Sequence, residues 1–248
     1  MKLACASTSF DRAIQNSALT QLEWLDLCAR ELAADGVVCD VHHFPRLDSD
    51  YLAQVKKVAV DCGLTVAAVW SGDFFSGDER AMQSTLSVAE ALGAPIVSAP
   101  MQREVQTSWA DAMQRVSVAV RLAKATNITL AARNRSDTLI AGAHELKRLS
   151  KEADSAWLRY TLEVDALDVA SEPSDLLPKT VILAHVHDAM EIDSDEFPQT
   201  RRTLDLADQF RGFLTIEIAH GAADAVTMRN AMRKWRTMLA EDLLGAGL

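Results

Sequence analysis

The chain alternates short apolar runs of β type with longer segments of helical periodicity, and it does so without interruption, which confines it to α/β architecture. Eight runs read as strands: Lys2–Ser7, Val37–Val41, Leu64–Trp70, Pro95–Ala99, Ile128–Arg133, Leu158–Val164, Val181–His187 and Phe213–Ile218. Between the first two, Leu22, Leu25, Ala29 and Leu32 recur at spacings of three and four within Leu19–Ala34, so they share one helix face. The pattern predicts further helices over Tyr51–Asp61, capped by Ser49 or Asp50, over Glu79–Leu92, capped by Ser76 or Asp78, and over Trp109–Thr126, capped by Ser108. Gly63 and Gly93 follow two of these, where helices commonly end.

Eight units in 248 residues give about 31 residues per unit, the scale of a (β/α)8 TIM barrel. An open doubly wound sheet fits less well, because no GxGxxG turn follows the first strand. No Pro/Gly/Ser-rich linker divides the chain, so residues 1–248 read as one TIM-barrel domain. The sixth unit is the exception. Leu158 and Val181 are too close together to hold a full crossover helix, and Pro173 and Pro178 lie between them, so a short or missing sixth helix is predicted.

The formal net charge of -10, from 25 Lys+Arg against 35 Asp+Glu, argues against nucleic acid and anionic membrane surfaces as partners. No window approaches the ~20 apolar residues of a membrane span, and the N-terminus carries no signal or transit pattern. The four cysteines, Cys5, Cys28, Cys39 and Cys62, form no CxxC pair and read as reduced thiols. The expected compartment is the cytoplasm. A homo-oligomer is left open.

In a TIM barrel the C-terminal strand ends converge on one mouth, where function resides. Those ends carry Ser7 and Ser9; Asp40, His42 and His43; Trp70 and Asp73; Pro100 and Gln102; Arg133 and Arg135; Glu163 and Asp165; His185, His187 and Asp188; and Glu217 and His220. Such a concentration of histidines and carboxylates at one rim favours a ligand site over ordinary surface polarity. Trp70 is placed to stack on a ligand or simply to pack. His144 and the basic cluster of Arg229, Arg233, Lys234 and Arg236 read as solvated helix faces. The acidic stretch MEIDSDEF at 190–197 follows strand seven and reads as a lid or a subunit contact.

The stretches HVHDA at 185–189 and GFLTIEI at 212–218 resemble the last two strands of the xylose-isomerase-like barrels, the sugar isomerase and epimerase superfamily. ADGVVCDVHHF at 34–44 and CGLTVAAVWSGDF at 62–74 resemble the second and third strands of that family, with Asp40 as the acidic residue ending strand two. The resemblance implies a metal-ligand set drawn from Glu163 or Asp165, His185 and Glu217. One departure is decisive. Where the family reads like L-A-x-E-N-H at the end of strand five, this chain reads LAARNRSD, so Arg133 stands in place of a glutamate ligand and Arg135 in place of a histidine. A guanidinium cannot ligate a cation and repels one at close range. No cofactor is therefore favoured. A divalent metal (Mn, Mg or Zn) on Glu163, Asp165, His185 and Glu217 is the alternative.

Two functions follow from the resemblance. One is isomerisation or epimerisation of a small sugar or polyol derivative, with Glu217 and Glu163 as acid and base and with Arg133 and His185 stabilising the oxyanion; Asp40, His42, Trp70, Arg135, Asp165, His187 and Asp188 would then line the ligand. The other is a catalytically inactive sugar-binding or regulatory protein that has lost the strand-five ligand. If Arg133 and Arg135 both enter the mouth, a sugar acid or phosphate is expected to bind better than a neutral sugar.

Overall fold

The computed structural model describes residues 1–103, 108–168, 173–188 and 198–245. Eight parallel strands pair in chain order, and the last closes on the first. They are β1 (Lys2–Ala6), β2 (Gly36–Asp40), β3 (Thr65–Trp70), β4 (Ile96–Pro100), β5 (Thr129–Arg133), β6 (Leu158–Glu163), β7 (Thr180–His187) and β8 (Phe213–Ile218). Closure runs from Lys2 opposite Phe213 to Cys5 opposite Ile216. Almost every strand residue is buried, as parallel strands covered on both faces require.

The outer layer comprises α1 (Asp11–Gln15), α2 (Gln21–Arg30), α3 (Ser49–Asp61), α4 (Glu79–Leu92), α5 (Trp109–Thr126), α6 (Ala143–Ala153), α7 (Pro198–Gln209) and α8 (Ala225–Gly245). Among the described residues the crossover after β6 holds only a 3-10 segment, Pro173–Lys179, in agreement with the short sixth unit. Caps set the helix starts. Asp78 accepts from Arg80 N and Ala81 N at the head of α4, and Ser108 and Asp111 form a capping box on α5. The cap of α3 is Asp48, not Ser49 or Asp50: its backbone is still extended and its carboxylate accepts from Tyr51 N at 3.1 Å, so the helix begins a residue or two earlier than its apolar pattern suggests. Gly93 ends α4 at φ 75°, a left-handed position that glycine adopts without strain.

Strand alternation divides the apolar residues into two groups. One faces the helices and forms the main core with Trp24, Leu25, Met82, Leu146 and Trp235. The other, Ala6, Val38, Ala68, Trp70 and Ile182, fills the barrel interior. Ser98 and Thr161 meet there through their hydroxyls at 2.7 Å. All four cysteines are free thiols, three of them buried. Among the described residues no helix is long and apolar enough to cross a membrane.

Candidate functional site

The strand ends of β5, β6 and β8 deliver three ionised side chains to one point. Arg133 closes β5, Glu163 closes β6 and Glu217 lies one residue from the end of β8. Arg133 Nε donates to Glu163 Oε2 at 2.7 Å, and Nη2 approaches the same oxygen at 2.7 Å. Nη1 donates to Glu217 Oε1 at 2.8 Å. The guanidinium carbon sits 5.2 Å over the Trp70 ring, so the face of Trp70 is occupied by the arginine. Only 4% of Arg133 is exposed. Burial by itself would pull its pKa down, but the charges of Glu217 and Glu163 and their hydrogen bonds outweigh burial and the net shift is upward. Arg133 is therefore a permanent cation clamped between two carboxylates.

Asn134, fully buried, holds the clamp in register. Its Nδ2 donates to the Glu163 carbonyl and its Oδ1 accepts from Glu163 N, each at 2.8 Å, which ties the end of β5 to the end of β6. The first βα loop adds another wall. Ser7 Oγ accepts from Asp40 N at 2.9 Å and lies 2.8 Å from His43 Nδ1, while His43 Nε2 lies 2.9 Å from Asp11 Oδ1. A carboxylate only accepts, so His43 Nε2 carries the proton shared with Asp11 Oδ1. A half-open cavity of about 370 Å³ lies here, lined by Asp11, Asp40, Trp70, Arg133, Glu163 and Glu217 together with Arg135, Val186 and His220.

Several expected residues lie elsewhere. His185 and His187 face the outer helices. β7 pairs with β8 so that Val186, not His185, is opposite Glu217, and because Ile182 points into the barrel, alternation turns 185 and 187 outward. His185 Nδ1 is 3.0 Å from Thr203 Oγ1 on α7 and 3.2 Å from Asp165 Oδ1, and its ring packs on Trp235 of α8. Trp235 Nε1 donates to His187 Nε2 at 2.7 Å. Asp165 leaves the mouth too. β6 ends at Glu163, so the two-residue alternation no longer applies, and Asp165 turns to accept from Val186 N at 2.8 Å. Burial, then the charge of Glu163, raises the Asp165 pKa to about 7 against the Val186 hydrogen bond, while burial, then His187, lowers His185 to about 3. The 3.2 Å contact thus joins a neutral imidazole to a carboxyl that is largely uncharged below neutrality; it is not an ion pair.

His42 is mostly exposed at the rim, 3.1 Å from Asp40 Oδ1. Asp188 is exposed just past β7. Arg135 reaches the cavity edge, half-exposed, with Nε 3.4 Å from Asp137. The excess of guanidinium in the mouth that would favour an anionic ligand is absent, since four carboxylates line the cavity against two arginines. Residues 190–197 lie outside the described residues. The strand-end pattern does not single out Asp11 or Asn134. Asp11 follows the first strand end within a few residues, a position that by itself points to the mouth.

The metal site implied by the resemblance does not fit these residues. His185 and Asp165 face outward, and the two glutamates that remain converge on a guanidinium. Among the described residues no group of three or more His, Cys, Asp or Glu side chains could hold a metal ion.

A closed barrel of eight parallel strands with helices outside is the TIM-barrel fold, and solved structures superpose on nearly the whole chain. A probable 3-DHS dehydratase, AsbF, from Bacillus anthracis matches with a TM-score of 0.72 and 13% identity, covering 94% of this chain and 98% of its own. A D-allulose 3-epimerase from Methylomonas sp., in complex with D-allulose, matches with a TM-score of 0.73 and 11% identity, covering 96% of each chain. A xylose isomerase-like TIM barrel/4-hydroxyphenylpyruvate dioxygenase fusion protein matches at 0.74 and 16%, covering 98% of this chain and 44% of the fusion. No protein-family model and no curated protein sequence matches the chain.

Proposed function

We propose that the barrel mouth binds a small sugar or polyol derivative and isomerises or epimerises it without a metal, with Arg133 in the place of the divalent ion. The observation that carries this reading is the bridge from one guanidinium to both Glu163 and Glu217 at 2.7 and 2.8 Å. Fold likeness to sugar epimerases supports the substrate class.

The chemistry moves a proton between adjacent carbons through an enediolate, so it needs a base, an acid and a fixed positive charge beside the developing oxyanion. Of the five N–H groups of a guanidinium, three are engaged here, and two remain for a substrate oxygen. Glu163 Oε1 and Glu217 Oε2 have no protein partner among the described residues and can take and return the proton. Asp40 and Asp11 accept substrate hydroxyls.

The test is proton NMR of candidate aldoses and ketoses incubated with the chelator-treated protein in D2O. Deuterium entering beside the carbonyl, lost in Glu217→Gln and Glu163→Gln, supports the reading. Exchange that depends on added divalent ion overturns the arginine-for-metal substitution. Sugar binding without any exchange favours the non-catalytic alternative, to which the pinning of both carboxylates by Arg133 also points.

A further inference from the structure

Four carboxylates line the cavity, and each is pinned through one oxygen only. Glu163 and Glu217 are held by Arg133 through Oε2 and Oε1. Asp40 Oδ1 accepts from His42 N at 2.9 Å and faces His42 Nδ1 at 3.1 Å. Asp11 Oδ1 accepts from Gln15 Nε2 at 2.8 Å and lies 2.9 Å from His43 Nε2. The second oxygen of each has no protein partner among the described residues. Ionised carboxylate oxygens only accept, so these four groups ask the ligand for donors, beside the two N–H groups that Arg133 keeps for a ligand oxygen.

The four groups do not converge on one point, as a bare cation would need; they are spread around about 370 Å³. Their charge is only partly compensated. Arg133 is shared between two glutamates, Arg135 is half-exposed and lies near Asp137, and Asp11 and Asp40 meet imidazoles, not permanent cations. An extended ligand with several hydroxyls satisfies the acceptors, and a positive charge on it offsets part of the excess of negative charge, four carboxylates against two arginines.

From this we infer that the ligand is an amine-bearing polyol, an amino sugar or aminocyclitol, whose ammonium sits on the Asp11–Asp40 side of the cavity, opposite Arg133. The inference rests on the sugar-site reading above and narrows it. Sugar phosphates and sugar acids bring acceptors and negative charge to a wall that already has both.

Isothermal titration at pH 6.5 with glucosamine, galactosamine and mannosamine, each beside its neutral parent sugar, its N-acetyl derivative and the corresponding sugar 6-phosphate, tests the inference. At least one amine is expected to bind about tenfold or more tighter than its parent, with the gain abolished by N-acetylation and reduced by salt. Asp11→Asn and Asp40→Asn should each shrink the amine-to-parent ratio; the N-acetyl comparison needs no variant and stands even if these do not fold. Amines binding no better than their parents, or phosphates binding best, overturn the inference and leave the sugar site intact. Absence of binding by every sugar in the panel overturns both.

Discussion

Trp235 Nε1 donates to His187 Nε2 at 2.7 Å across the β7–α8 interface, and because an indole can only donate, this bond requires an unprotonated His187. Burial, then the charge of Lys234, lowers the His187 pKa to about 4. The unfolded chain therefore takes up a proton near pH 6.5 that the folded protein refuses, so stability falls as pH drops from 6.5 towards 4. Replacing His187 with Gln removes that uptake. The unfolding free energy from urea titrations should decline less between pH 7 and pH 4 in H187Q than in the parent, by a difference on the order of 2–3 kcal/mol. Equal slopes would place the His187 pKa near its ordinary value. Asp165, raised to about 7, acts in the opposite direction and is common to both proteins, so the comparison cancels it.

Removing the cation from the mouth strands two buried carboxylates. Arg133→Leu should cost about 3–5 kcal/mol at pH 7, the usual penalty for breaking a buried ion pair from one side. Adding Glu163→Gln and Glu217→Gln to it should recover most of the loss. Chemical denaturation of the single and triple variants measures both, and a triple variant no more stable than R133L would show that the carboxylates do not depend on the guanidinium.

Arg133→Glu brings a third carboxylate to the same point and removes the repelling charge, so R133E is expected to gain manganese affinity over the parent. The gain should be modest, because His185 faces α7 and α8 and supplies no fourth ligand. Calorimetric titration with manganese on folded R133E checks this; affinity equal to the parent's would count against the site geometry.

Gly221 sits at φ 61° where the loop after β8 crosses the loop after β1, and a Cβ there would lie 2.5 Å from Asp11 Cβ and 3.2 Å from Thr8 O. Both the left-handed backbone and the contact call for glycine. Gly221→Ala should lower stability by about 2 kcal/mol and displace Asp11, weakening ligand binding beyond the stability loss. A variant with parent-like melting temperature and affinity would mean that the loop yields without disturbing the wall.

Much of the candidate site is legible in the sequence. Arg133, Glu163 and Glu217 reach the mouth because their strands end there, and the strand pattern alone locates those ends. His185 was misplaced because the HVHDA motif speaks only to spacing, whereas the facing of a residue depends on which neighbour it is registered against. Asp165 turns away from the mouth because β6 stops at Glu163, and the apolar pattern does not mark that stop.

The sequence by itself determined the barrel: eight apolar runs and their intervening helical stripes are local preferences, each satisfied within a few residues, and the strand limits fall almost where the patterns end. Only the tertiary structure decided what the mouth contains. The closure register turned Val186 inward and His185 outward, the loop after β1 brought in Asp11, and Asn134 locked Glu163 against Arg133. Those outcomes rest on hydrogen bonds between residues 29 to 32 positions apart or more, and on the cost of burying charge without a partner, neither of which any local window of the chain contains.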